Sequence, residues 1–226
     1  MKILMILTSH ADFGASGRKT GFWMEEFAAP YYRFAEAGAE ITLASPAGGQ
    51  PPVDPASLGA DFQSDDTRRF EKDEEAQTLL ANTSKLTDVQ ASDFDAVFYP
   101  GGHGPLYDLT DNVASLALLT EFHTAAKPIG AVCHGVAALV KATTKNNEPI
   151  VAGLELTGFT DSEEAAVGAT DLVPYSVEQG LQKAGGIFRS ADDWADFAIR
   201  DGVLVTGQNP GSSDSTARLL LEALEG

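Results

Sequence analysis

The amino-acid sequence predicts an α/β fold with a mostly parallel sheet and helices on both faces, and three observations support this. Short apolar runs alternate with helical stretches along the chain, which is typical of parallel sheets. The length of 226 residues suits one large domain, spanning residues 1–226, because a chain of this size buries enough surface to need no disulfide or metal. The composition, with 43% hydrophobic and 21% charged residues, is that of a globular protein.

The first half of the chain contains three predicted strands and one helix rich in aromatic residues. Lys2–Thr8 is a near-continuous apolar run, as expected for a strand buried on both faces. Thr20–Ala37 has aromatic residues at helical spacing, and Pro30 should kink or break this helix. Ala39–Ala44 and Asp95–Tyr99 are the other two predicted strands.

The rest of the chain continues the alternation. Residues 46–92 are rich in Pro, Gly, Ser and Asp, so we expect them to leave the sheet, with a short helix near Glu71–Ala81. An Asp-Gly pair between two apolar runs near the C-terminus predicts an antiparallel hairpin. The elements predicted after residue 100 are a helix over Val113–Ala126, a strand over Pro128–Val132, a helical segment over Gly135–Lys141, the hairpin over Phe197–Thr206, and a last helix from Pro210 to Leu224.

The charge and the cysteine content exclude several classes of protein. The chain has 33 acidic and 15 basic residues, a net charge of −18, which would repel nucleic acid and anionic lipid. A single cysteine forms no intrachain disulfide and fits a reducing compartment. The apolar opening segment is too short for a signal peptide. We therefore expect a cytoplasmic protein without nucleic-acid or membrane partners.

Cys133 lies between the strand predicted over Pro128–Val132 and a helical segment. This layout matches a nucleophile elbow, a strained turn that lifts a reactive side chain off the carboxyl edge of a sheet. Gly135 lets the following segment pack close to the strand, and the helix N-terminus should favour a thiolate. A lone cysteine without this context would be interpreted as a small buried hydrophobe. Its position, with His134 adjacent, favours a nucleophile instead.

A second glycine-rich motif follows another predicted strand. Pro100-Gly101-Gly102-His103-Gly104 comes directly after Asp95–Tyr99, and α/β proteins build their sites at such strand ends. Glycines here allow backbone N–H groups to face an oxyanion, although an ordinary turn is the alternative. The spacing does not match a dinucleotide-binding loop, so no cofactor site is predicted.

Glu26 is the third candidate. It falls between Trp23 and Pro30 on the apolar face of the predicted helix, whereas Glu25 should face water. Burial would raise the pKa of Glu26 and suit it to proton transfer. A solvated helix glutamate is the alternative.

The histidine positions exclude some chemistry. Papain-type and glutaminase-type cysteine enzymes need a base histidine far downstream of the cysteine, and this chain has none beyond the neighbour of Cys133. The spacing is also not that of a zinc site, so no metal is predicted. The four histidines are His10, His103, His123 and His134.

Five blocks of sequence together resemble the ThiJ/PfpI superfamily, and more narrowly its glutathione-independent glyoxalase branch of the heat-shock-chaperone type. The blocks are Ala131-Val-Cys133-His134-Gly135, Pro100-Gly-Gly102-His103-Gly104, Lys19-Thr20-Gly21 with Glu26, Thr157-Gly-Phe159-Thr-Asp161, and Val205-Thr-Gly207-Gln-Asn209-Pro210. The resemblance implies a flavodoxin-like three-layer sandwich of the class I glutamine amidotransferase type. It also implies a homodimer that needs no cofactor.

The resemblance also carries roles for individual residues. It implies that Cys133 is the catalytic nucleophile, with His134 as its partner and Glu26 pointing at the thiolate. The third, acidic member of the group falls on Glu164, with the adjacent Glu163 as the alternative.

The remaining implications concern the substrate site and the reaction. The oxyanion or substrate site falls on Gly102 and His103, together with the backbone of His134. The implied activity is a lyase of the D-lactate dehydratase (glyoxalase III) type, which converts methylglyoxal and water to lactate. The alternatives are a deglycase acting on glycated amines, a holdase-type chaperone, and a redox sensor in which Cys133 is oxidised.

Overall fold

The computed structural model describes residues 1–225, and a seven-stranded sheet lies at its centre. The strands, in spatial order, are β3 (Ser84–Lys85), β2 (Glu40–Ser45), β1 (Lys2–Ile6), β4 (Ala96–Tyr99), β5 (Ile129–Val132), β9 (Leu204–Gly207) and β8 (Ala198–Asp201). All neighbours pair in parallel except β8 and β9. A separate parallel pair joins β6 (Glu155–Leu156) to β7 (Ile187–Phe188).

The five inner strands have the flavodoxin order, 2-1-3-4-5 when they are numbered by themselves, so the predicted fold class is confirmed. Their side chains are almost completely buried, as a parallel sheet covered on both faces requires. Because β1 and β4 lead to neighbours on opposite sides, right-handed crossovers place their helices on opposite faces.

Eight α-helices surround the sheet. They are α1 (Met24–Glu36), α2 (Asp65–Phe70), α3 (Glu74–Ala81), α4 (Pro105–Asp108), α5 (Val113–Thr124), α6 (Asp161–Ala166), α7 (Val177–Lys183) and α8 (Ser213–Glu225), within the described part of the chain. Helices α1 and α8 pack against each other, and α5 packs against β5. Short 3-10 segments cover Pro55–Leu58, Ala60–Phe62, Leu86–Asp88, Ala91–Asp93, Cys133–Leu139 and Pro210–Ser212. None of the helices in residues 1–225 has the length and apolarity needed to cross a membrane.

Pro30 does not break the first helix, so that part of the expectation was wrong. Helix α1 runs from Met24 through Pro30 to Glu36, although it starts four residues later than Thr20. Proline removes one intrahelical hydrogen bond, but its ring is buried with the apolar face of the helix. Packing of that face stabilises a helix more than one backbone hydrogen bond does.

The other differences lie in the segments where the apolar pattern was weakest. The excursion over residues 46–92 contains α2 and α3, but it also returns to the sheet as β3, a strand too short for any periodicity to show. The segment after Cys133 is a 3-10 helix that starts at the cysteine itself. The hairpin of β8 and β9 around Asp201-Gly202 is confirmed.

Candidate active site

Cys133 lies at the carboxyl end of β5, at the same sheet edge as the glycine-rich segment that follows β4, since Tyr99 pairs with Ala131. Its backbone has φ of +56°, a left-handed conformation that is rare for residues other than glycine. Only 3% of the residue is exposed. The strained turn of a nucleophile elbow is therefore present.

Two glycines allow the backbone to close around this turn. A Cβ atom at Gly135 would overlap the carbonyl oxygen of Tyr99, so the chain after the cysteine crosses the end of β4 in direct contact. Gly102 has φ of +88°, and a Cβ there would overlap the carbonyl oxygen of Gly21 and the backbone nitrogen of Trp23. The floor of the site is thus made of main chain from three separate segments.

The histidine after the cysteine begins a chain of polar contacts. His134 Nδ1 lies 3.4 Å from Cys133 Sγ, and His134 Nε2 lies 2.7 Å from Glu164 Oε2. The other carboxylate oxygen, Glu164 Oε1, lies 2.8 Å from His103 Nε2. The two imidazole rings are also in contact, with centroids 4.2 Å apart and planes tilted by 39°. The structure thus brings together four residues that the sequence had singled out.

The charges within this series of polar contacts determine the protonation state of His134. Burial acts to raise the pKa of Glu164, but the two histidines beside it hold that pKa well below its ordinary value. Burial and the neighbouring His103 lower the pKa of His134, so its imidazole is neutral. A neutral ring that donates from Nε2 to the Glu164 carboxylate has its lone pair on Nδ1, facing the thiol. His134 is therefore oriented to accept a proton from Cys133.

Glu26 is fully buried on α1 beside the thiol, as the sequence predicted. Among residues 1–225, neither carboxylate oxygen has a partner with good hydrogen-bond geometry. Burial raises the pKa of Glu26 to about 8, and the Cys133 thiol and the Gly101 N–H alongside only partly offset this effect. Glu25 is half-buried rather than open to water, and Ser64 donates a hydrogen bond to it.

The turn was expected to favour a thiolate at Cys133, but its surroundings favour the protonated thiol. Burial, followed by the charge of Glu26 and a hydrogen bond to it, raises the pKa of Cys133 well above its ordinary value. The backbone N–H groups of His134 and Gly102 act in the opposite direction but do not prevail. Moreover, the following segment is a 3-10 helix of seven residues, a weak source of helix dipole. Cys133 and Glu26 thus hold at least one proton between them at neutral pH.

A cavity of about 550 Å³ opens onto Cys133, Glu26, His103 and His134. Most of its wall is apolar and aromatic, and Arg18 and Asp54 are the other charged side chains that line it. The wall residues used below are Trp23, Phe62, Phe159 and Trp194. Sequence reasoning did not identify Trp194 or Phe62, because single aromatic residues in polar loop sequence give no periodic signal.

Glu163 and Glu164, which the sequence could not separate, lie in different environments. Glu164 contacts the two histidines, whereas Glu163 Oε1 accepts from the Trp194 backbone N–H at 2.8 Å and from the side-chain amides of Gln208 and Asn209. Glu163 Oε2 also forms a capping box with Thr160 at the start of α6. The contacts of Glu163 anchor the neighbouring loops and do not reach the cysteine group.

The donors of His103, His134 and Glu164 lie within 4.8 Å of one another, although the histidines are far from zinc-ligand spacing in the sequence. Three such donors could in principle hold a cation. The Nε2 atom of each histidine, however, is already within hydrogen-bond distance of a Glu164 carboxylate oxygen. The arrangement is fully explained as a hydrogen-bonded chain.

Comparisons with known proteins agree with this geometry. The model of the DJ-1/PfpI family matches residues 19–223. Glyoxalase 3 of Candida albicans is 32% identical over 234 residues, covering 100% of this chain and 99% of that protein. Glutathione-independent glyoxalase HSP31 of Saccharomyces cerevisiae is 33% identical over 233 residues, covering 99% and 98%. The X-ray structure of Rapid Encystment Protein 24 KDa from Francisella tularensis has a TM-score of 0.95 at 34% identity, covering 99% and 98%. The chain belongs to the DJ-1/PfpI family.

Proposed function

We propose that this protein is a glutathione-independent glyoxalase that converts methylglyoxal and water to lactate. Two full-length relatives carry the glyoxalase name. The observation that carries the proposal is the pairing of a buried carboxyl, Glu26, with the thiol of Cys133. A cysteine hydrolase needs no acid/base group beside the sulfur other than its histidine. An isomerisation needs a second such group, which moves a proton between the two substrate carbons.

The reaction begins when Cys133 adds to the aldehyde carbon of methylglyoxal. A carbon–sulfur bond forms as the carbonyl π bond breaks. The thiol proton passes by way of the neutral His134 to the carbonyl oxygen, which becomes the hydroxyl of a hemithioacetal and leaves His134 neutral again. The backbone N–H groups of Gly102 and His134 are the donors available to that oxygen.

Glu26 then moves a proton between the two neighbouring carbons. Its ionised carboxylate removes the proton from the former aldehyde carbon and leaves an enediolate. The hemithioacetal hydroxyl proton shifts to the former ketone oxygen, and Glu26 returns its proton to the former ketone carbon. The aldehyde carbon is thereby oxidised to a thioester and the ketone carbon is reduced to an alcohol, without any external oxidant. A pKa near 8 suits a group that must both take and return a proton near neutral pH.

Hydrolysis of the thioester completes the cycle. Water adds to the thioester carbon, the sulfur leaves, and lactate and the free thiol form. His134 is the base in position to activate this water, and Glu164 fixes its tautomer and orientation. His103 contacts the other oxygen of Glu164 and acts as a positioning residue.

The test is incubation of the pure protein with methylglyoxal in the absence of glutathione, with lactate measured by a chiral assay. We expect lactate from the wild type and none from Cys133→Ser. The proposal is overturned if no lactate forms. If the protein then suppresses aggregation of a heated client and Cys133→Ser does so equally well, the holdase alternative replaces it.

A further inference from the structure

The cavity is walled by more aromatic surface than the methyl group of methylglyoxal can use. Trp23 and Phe62 pack edge to face on one side, with ring centroids 5.0 Å apart. Phe159 and Trp194 form a second pair with centroids 5.9 Å apart, and the Phe159 ring contacts that of His134 in a tilted arrangement with centroids 4.4 Å apart. Aromatic rings therefore extend from the catalytic group to the mouth of the cavity.

The outer member of each pair is incompletely covered. Phe62 and Trp194 are both 50% exposed, while Phe159 at the inner end is 4% exposed. Half-exposed aromatic side chains that line a concave site gain free energy when an apolar group covers them. A three-carbon dicarbonyl attached to Cys133 has a single methyl group, which is too small to cover both rings.

Trp194 also has a backbone conformation that is unfavourable for tryptophan. Its backbone has φ of +67°, a genuine outlier for so bulky a residue. The fully buried carboxylate of Glu163 accepts the hydrogen bond of its backbone N–H and keeps it there. Strain of this kind persists where the surroundings enforce it, and it points to a role for the side chain it displays.

Building on the proposed glyoxalase activity, we propose that the preferred substrates are α-oxoaldehydes with a large apolar substituent, such as an aryl group. Trp194 and Phe62 are the specificity-determining residues, because they cover the substituent while Cys133 holds the aldehyde carbon. For phenylglyoxal the balanced reaction is addition of water to give mandelate, by the same proton transfer that converts methylglyoxal to lactate.

The test compares initial rates with methylglyoxal and phenylglyoxal in the wild type, Trp194→Ala and Phe62→Ala. The measured quantity is the ratio of kcat/KM for phenylglyoxal to kcat/KM for methylglyoxal. When this ratio is compared between wild type and variant, the difference in intrinsic reactivity of the two substrates cancels. We expect each variant to lower this ratio by about 3- to 10-fold, the usual value of one aromatic contact, through a higher KM for phenylglyoxal. Leu58→Ala is the matched control, since Leu58 is 51% exposed in the same segment as Phe62 but does not line the cavity.

The inference is overturned if the wild type makes lactate but both variants leave the ratio unchanged, or if Leu58→Ala lowers it equally. Failure of the glyoxalase proposal is distinguishable, because then the wild type makes neither lactate nor mandelate. In that case the rate of adduct formation at Cys133, measured by intact mass with Cys133→Ser as background, still decides the question. A preference for phenylglyoxal over methylglyoxal that Trp194→Ala abolishes supports the subsite, and the same preference in both proteins refutes it.

Discussion

Glu163 and Glu164 are adjacent in the chain, yet their carboxylates satisfy two different sets of donors. Glu164 lies between the imidazoles of His103 and His134, and Glu163 holds the backbone of Trp194 and two side-chain amides. Within one turn of α6, Glu164 therefore contacts the catalytic group, and Glu163 stabilises the loops that form the cavity wall.

Glu164→Gln and Glu163→Gln should consequently fail in different ways. We expect Glu164→Gln to reduce kcat for methylglyoxal about 100-fold, because His134 loses the anion that fixes its tautomer. Its depressed pKa means that Glu164 stabilises the fold above its ordinary pKa near 4.5, and this contribution disappears as the pH falls through and below that value. The stability difference between wild type and Glu164→Gln should therefore shrink on acidification.

Glu163→Gln is the control for that pair. We expect it to lower the free energy of unfolding by about 2 kcal/mol, because buried donors lose a charged acceptor. Turnover of methylglyoxal should remain near that of the wild type. Equal losses of turnover in the two variants, measured by lactate formation alongside denaturant unfolding, would contradict the separation of the two networks.

Cys133→Ser should remove nearly all lactate formation and leave the fold intact. The hydroxyl is smaller than the thiol and a much weaker nucleophile without a strong base, and the left-handed backbone at this position is unchanged by the substitution. Steady-state kinetics and thermal unfolding check the two parts. Retention of more than a few per cent of turnover would rule out the covalent route.

Glu26→Gln should separate adduct formation from turnover. Gln keeps the volume and the helix propensity of Glu but cannot move a proton between carbons. We expect methylglyoxal still to form an adduct at Cys133, visible by mass spectrometry, while lactate forms at least about 100-fold more slowly. Turnover within a few-fold of the wild type would make Glu26 structural and leave His134 as the next group to test.

The same variant tests the coupling between the thiol and the carboxyl. Burial and then the charge of Glu26 raise the pKa of Cys133, so removal of that charge should lower the thiol pKa while burial keeps it above its ordinary value. Because the chain has one cysteine, the pH dependence of its alkylation by iodoacetamide titrates this site alone. Glu25→Gln, which changes the neighbouring half-buried carboxyl, is the control and should shift the titration much less. An unchanged titration in Glu26→Gln would show that the two groups are independent.

Trp194 offers a test of backbone strain in which the usual order of stability is reversed. Glycine normally destabilises a protein relative to alanine, but at φ of +67° alanine carries the strain and glycine does not. Trp194→Gly should therefore unfold at a higher temperature than Trp194→Ala, by the equivalent of about 1 kcal/mol. The ordinary order, with alanine more stable, would mean that the loop relaxes once the indole is removed.

The sequence predicted the parts of the fold that depend on local pattern. The run Lys2–Thr8 is nearly continuously apolar and forms the strand Lys2–Ile6, and the turn chemistry of Asp201-Gly202 forms the hairpin as expected. Pro30 misled the prediction because local propensity opposes the helix while tertiary packing, which the sequence does not display, supports it. Strand β3 was missed because two residues show no period.

The candidate site was predicted where chemistry and position coincide. Cys133 and Glu26 were identified from a strand-to-turn junction and from an acidic residue on an apolar face, and the structure brings them together. The contact of His103 with Glu164 spans 61 residues, and no local pattern encodes it. The position of Trp194, whose backbone N–H donates to Glu163, depends on a loop conformation that residue propensities do not specify. The homodimer, the single domain and the cytoplasmic location stay predictions.

The site has a floor of main chain at Gly102 and Gly135 and a wall of side chains. Mutation cannot adjust the floor, but it can adjust the wall. Any side chain at these glycines would displace backbone of another segment, so main-chain contacts fix the backbone that carries the nucleophile and its oxyanion donors. The walls at Phe62 and Trp194 are side chains with solvent on one side, which tolerate exchange. Evolvability in this protein is therefore concentrated at the rim: new substrates can be acquired there in single steps without altering the reaction carried out beneath them.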